Sequence, residues 1–134
     1  MSEAYYLFLD DERDLKNVKW VELPKDYRKW YTVRDYTQFT NHIQTNGIPH
    51  FIAFDHDLAL EHYVKSIDKI SYSEYKERSG YDCAKWLCDY CLDNKQTFPM
   101  YVVHSMNPIG KENIISYIEQ FVSHHGLKRL ENLY

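Results

Sequence analysis

Apolar runs long enough to cross a bilayer are missing from this chain; the longest are about the length of a strand, which excludes a membrane-spanning helix. A surplus of basic charge is missing as well. The formal net charge is -4, so there is no electrostatic footprint for a nucleic-acid duplex. No signal peptide precedes the first apolar segment, and the expected location is the cytoplasm. Cysteine is scarce and odd in number, at Cys83, Cys88 and Cys91, which does not suit a disulfide framework. The C-x4-C-x2-C spacing matches that of plant-type ferredoxins, but a fourth cysteine to complete an iron-sulfur site is lacking. Ala84, Leu87, Cys88, Cys91 and Leu92 fall instead at i, i+3, i+4, i+7 and i+8. That is the core-facing stripe of one helix, and it puts the thiols in the core.

What is present is a chain of 134 residues, 44% hydrophobic and 16% aromatic, enough for one packed domain and too short for two. Phe51-Ile52-Ala53-Phe54 ends abruptly in Asp55-His56-Asp57-Leu58, which reads as a buried strand delivering polar groups to its carboxyl end. Tyr5 to Leu9 runs the same way into Asp10-Asp11-Glu12. Between them, Arg13 to Lys29 shows no sustained helical period and contains Pro24, so it reads as an irregular crossover with room for a helical turn. Trp30 to Arg34 is aromatic and β-branched and reads as strand two. Asp35 then caps a helix carrying Tyr36, Phe39 and Ile43 on one face, stopped by Asn46-Gly47.

Leu58 to Ser79 is a polar, tyrosine-rich insertion of the kind that forms lids beside sites. Ser79-Gly80-Tyr81-Asp82 opens the cysteine-bearing helix, which ends near Asp93-Asn94. Met100 to Val103 is the last clear strand. It runs into His104-Ser105-Met106-Asn107-Pro108, and the final helix follows with Ile114, Tyr117, Ile118, Phe121 and Val122 on its apolar face. His124 and His125 close that helix where a cation suits its dipole. The residues Leu130 to Tyr134 resemble a cloning scar followed by the start of an engineered protease site. They are set aside, giving one domain over 1–129 with 130–134 as a tag remnant.

Alternating strands and helices predict an α/β fold with a parallel sheet and right-handed connections, and ligands bind such sheets beyond the carboxyl ends of the strands at the switch point. If strands one and three are neighbours, Asp10, Asp11 and Asp55 converge there. Like charges at that range cost several kcal/mol unless a cation screens them, and a cluster of hard oxygens suits Mg²⁺, or Mn²⁺ in its place. The alternative is that Asp10 or Asp11 merely caps the turn that follows.

At these positions the sequence resembles the receiver-domain family: Leu9-Asp10-Asp11-Glu12 after strand one, Phe54-Asp55 after strand three, Gly80-Tyr81-Asp82 opening the next helix, and Ser105 after strand four. The resemblance implies an acidic metal-binding pair at Asp10 and Asp11, and a phospho-accepting carboxylate at Asp55. It also implies a metal-coordinating carbonyl at Asp57 and a phosphoryl-contacting hydroxyl at Ser105. It implies a receiver-like, flavodoxin-like three-layer sandwich with four strands in the order 2-1-3-4. The lysine-bearing fifth strand of receivers has no evident counterpart, so phosphorylation of Asp55 is not expected to drive a switch.

Asp55-His56-Asp57-Leu58 together with His104-Ser105-Met106-Asn107-Pro108 resembles more closely the cyclic-phosphate processing receiver domains of bacteria and phages. This implies a metal-dependent phosphoesterase acting on a cyclic-phosphate nucleotide or related metabolite, in the host cytoplasm for a phage-encoded member. Near-neutral titrants at His56 and His104 are the natural general acid and base. Ser105, Asn107 and the amides of Gly110 and Lys111 are placed to hold phosphate oxygens. A second-messenger binder without turnover and a receiver-like adaptor for a protein partner are the other two classes.

Overall fold

The computed structural model describes residues 4–55 and 80–131. Four strands of four residues each form one parallel sheet: β1 (Tyr6–Leu9), β2 (Trp30–Val33), β3 (Phe51–Phe54) and β4 (Met100–Val103), in the order β2-β1-β3-β4. That order is the receiver-like one expected. β1 and β3 are central and buried along their whole length, because both faces of the sheet are covered and every position must be apolar. β2 lies at an edge, and Tyr31 and Thr32 are exposed.

The helices are α1 (Tyr36–Asn46), α2 (Gly80–Asp93) and α3 (Pro108–His125). Asp35 caps α1 by accepting the Gln38 N–H at 2.8 Å, and Gly47, at φ 90°, ends it. Asn107 caps α3 in the same way, with Pro108 in its first turn. Alternate residues of the strands point to opposite faces. Leu7, Leu9, Ile52 and Phe54 face the helices and pack with Phe39, Ile43, Leu87, Ile114 and Ile118. Phe8 and Ala53 face the other way and meet Val18, Leu15 and Val21 of the first crossover and Trp30 at the start of β2.

The split into two faces follows from connection handedness. The chain moves one way from β1 to β2 and the other way from β2 through β3 to β4, so right-handed crossovers must lie on opposite faces. The first crossover is irregular, as its sequence indicates, with two short 3₁₀ turns at Leu15–Asn17 and Tyr27–Lys29. The reversal falls between β1 and β3.

The three cysteines are free and buried on α2. Burial pushes the thiols of Cys88 and Cys91 up to about 12 and raises Cys83 well above its ordinary value. Because the thiolate is the reactive form, an aromatic disulfide reagent at about pH 8 should label none of them in native protein and all of them in denaturant. Rapid native labelling of even one would contradict this packing. The tail set aside as a tag contributes to the fold at its first residue. The Leu130 N–H donates to the Phe98 carbonyl at 2.9 Å, beside an isolated parallel bridge between Phe98 and Arg129. No described helix is long and apolar enough to cross a membrane. The Leu58 to Ser79 insertion lies outside the described residues.

Candidate active site at the strand ends

The backbone ladder continues one residue beyond each strand. The Asp10 N–H donates to the Val33 carbonyl (3.2 Å), the Asp55 N–H to Leu9 (3.0 Å) and the His104 N–H to Phe54 (2.9 Å). Asp10, Arg34, Asp55 and His104 therefore form one row across the carboxyl edge of the sheet. By the two-residue alternation, Asp10, Asp55 and His104 share the face of Phe8, Ala53 and Val102, under the irregular crossover. The His104 ring lies flat on Phe8, with centroids 4.8 Å apart and planes 14° apart.

Asp10, Asp55 and His104 are all buried, and each offers a donor atom within 4.8 Å of the others. Asp10 accepts the Glu12 and Arg13 N–H groups on Oδ1 (2.9 and 2.8 Å) and faces His104 Nε2 through Oδ2 at 2.9 Å. Burial alone would raise its pKa. The hydrogen bonds from His104, Arg13 and Glu12 outweigh that and hold the carboxyl at about 2. An ionised carboxylate can only accept, so Nε2 of His104 carries the shared proton. His104 Nδ1 is buried and has no hydrogen-bond partner among the described residues.

This pair has a consequence for acid stability. The folded value of Asp10 is below the ordinary 3.8, so its contribution is complete above about pH 4 and is lost as pH falls toward 2. The amount is on the order of 2 kcal/mol. Urea midpoints of wild type and Asp10→Asn should differ clearly at about pH 6 and converge near pH 2. A gap that stays constant over that range would exclude the assignment.

Arg34, the first residue past β2, holds the turn beneath the site. Its guanidinium donates to the carbonyls of Asp10 (3.0 Å) and Arg13 (2.6 Å) and to the Asp14 carboxylate (2.8 Å). Arg13 reaches Asp10 Oδ2 at 3.5 Å and stands over the Trp20 ring, 5.4 Å from its centroid. Trp20 donates its indole N–H to the His104 carbonyl at 2.8 Å.

The structure gathers some of the expected residues and not others. Asp10 and Asp55 meet, and Asp10 also caps the turn that follows it. Asp11 is not part of the trio, whose third member is His104. Ser105 is buried, and its Oγ accepts the Asn107 N–H at 3.1 Å. The Gly110 and Lys111 amides, expected to hold phosphate, are already engaged. Gly110 donates to Asn107 Oδ1 (3.0 Å) and Lys111 to the Asn107 carbonyl (2.8 Å), as the cap of α3 requires. His56 and Asp57 lie outside the described residues.

Sequence reasoning passed over Arg13, Trp20 and Arg34. Arg34 carried a usable signal, since it follows a strand just as Asp10 and Asp55 do. A family model described as the cyclic-phosphate processing receiver domain matches residues 5–120. No curated protein and no solved structure matches the chain.

Proposed function

The chain belongs to the cyclic-phosphate processing receiver domain family, and on that premise we propose that the Asp10, Asp55 and His104 site hydrolyses a cyclic phosphate ester to a monoester. The observation that carries this reading is the His104–Asp10 pair, with Nε2 tied to an ionised carboxylate and Nδ1 without a partner among the described residues, within reach of a second buried carboxylate. A carboxylate that fixes one ring nitrogen leaves the other as a lone pair of defined direction, the arrangement of a general base.

The donor set also fits a divalent cation. Asp10 and Asp55 supply hard oxygens within 4.8 Å, where two ionised carboxylates repel unless a positive charge lies between them. These two would hold Mg²⁺ or Mn²⁺, which when bound supplies charge to phosphoryl oxygens and acidity to a water. The proton work belongs to His104. A water oxygen bonds to phosphorus, one ring P–O bond breaks, and the water's proton passes to Nδ1. The released ring oxygen takes that proton back from the imidazolium, so the site ends as it began.

The test is incubation of the protein and Mn²⁺ or Mg²⁺ with nucleoside 2',3'-cyclic phosphates, ADP-ribose cyclic phosphate and cyclic oligonucleotides, with phosphorus NMR as the readout. At least one should give ring-opened monoester. Binding of a panel member without turnover would turn the assignment to a sequestering protein. Neither binding nor turnover would favour the adaptor class.

A further inference from the structure

Beside the trio stand two side chains whose arrangement the chemistry above leaves unused. Arg34 has its guanidinium occupied by two carbonyls and Asp14, whereas Arg13 has one long polar contact, to Asp10 at 3.5 Å, among the described residues. Its remaining N–H groups face a partly open surface, since the side chain is 35% exposed. Its guanidinium lies over Trp20. Trp20 is 45% exposed and is absent from both core clusters, although its indole N–H is anchored to the His104 carbonyl. A large aromatic held rigidly against a site yet left uncovered does little for the fold. An exposed aromatic anchored beside a polar site offers a surface for the apolar part of a ligand.

We propose that Arg13 and Trp20 are the recognition pair of this site: Arg13 holds a phosphoryl oxygen, and the exposed part of the Trp20 indole stacks a planar base. What is new is the assignment of two residues to a preference for nucleoside phosphates, the class the family resemblance implies, and its phosphate half rests on the phosphoesterase reading. A guanidinium suits a phosphate because its planar fork matches two oxygens. An indole stacks any base without reading its edges, so the pair selects for the presence of a base and not its identity.

Three probes separate the parts: adenosine 2',3'-cyclic phosphate, glycerol 1,2-cyclic phosphate with the same ring and no base, and adenosine. Affinities are measured on the full chain with Mn²⁺ by calorimetry, with the Trp20 indole proton followed by NMR. The nucleotide should bind roughly tenfold or more tightly than the glycerol ester. Trp20→Leu should bring that ratio close to one, and Trp20→Phe should keep most of it. Phenylalanine stacks but cannot donate to His104, so a Phe variant behaving like the Leu variant would make Trp20 a structural anchor and overturn the proposal. Arg13→Gln should weaken both cyclic phosphates by a similar factor, on the order of tenfold, and leave adenosine unchanged, with partial recovery in Arg13→Lys. Equal affinity for the two cyclic phosphates in wild type would defeat the base platform even if both were hydrolysed. Base-dependent binding without turnover would sustain it while removing the phosphoesterase. Absence of binding by all three probes would end both.

Discussion

Asp55→Asn should reduce cyclic-phosphate turnover to the uncatalysed background. The substitution keeps the volume and planarity of a buried side chain at the end of β3, where the backbone is fixed by the bond from the Asp55 N–H to the Leu9 carbonyl. What it removes is one negative charge of the two that would hold the ion. An amide oxygen is a weaker ligand for a hard cation, so the stabilisation of the fold by millimolar Mn²⁺ should disappear together with the activity. A variant that keeps both its metal-dependent melting shift and its turnover would show that Asp55 does neither job. Loss of the shift with turnover intact would take the ion out of the reaction.

The second large effect is expected at His104. Glutamine retains an N–H that can approach Asp10 Oδ2, so the buried carboxylate keeps a donor and the fold survives. A side-chain amide cannot take a proton from water at neutral pH. kcat should therefore fall by roughly 10² to 10⁴, the usual share of general acid-base catalysis, with a smaller change in KM. Turnover in His104→Gln close to that of wild type would assign the proton transfer to another group.

The strands were legible because their signal is local. Continuous apolar quartets ending in acid specify buried parallel strands, and the caps at Asp35 and Asn107 and the stop at Gly47 lie within a few residues of the groups they satisfy. The site was legible only in part. Asp10 and Asp55 stand out because each follows such a strand, but the bond between Asp10 and His104 joins residues 94 apart and depends on sheet order. Asp11 stands next to Asp10 in sequence, yet the third member of the close cluster is His104, which adjacency in sequence does not reveal. Trp20 was invisible for a different reason: it sits in a crossover with no period, and its importance arises from one bond to a backbone carbonyl that carries no sequence signal.

The extension of the ladder by one bond past β1, β3 and β4 bears on how the site meets a ligand. Neighbouring strands in any sheet are spaced by about 4.8 Å, a distance set by peptide hydrogen bonds and hardly altered by side chains. Asp10, Asp55 and His104 are hung from adjacent rungs of that lattice, with the flat face of Phe8 beneath the imidazole. The gap between them is therefore a fixed caliper, and its ordering entropy is lost when the chain folds and not when a ligand arrives. Such a gap discriminates by size at the reacting group and has little capacity to adapt, so variation in what the site accepts must come from the crossover residues around it.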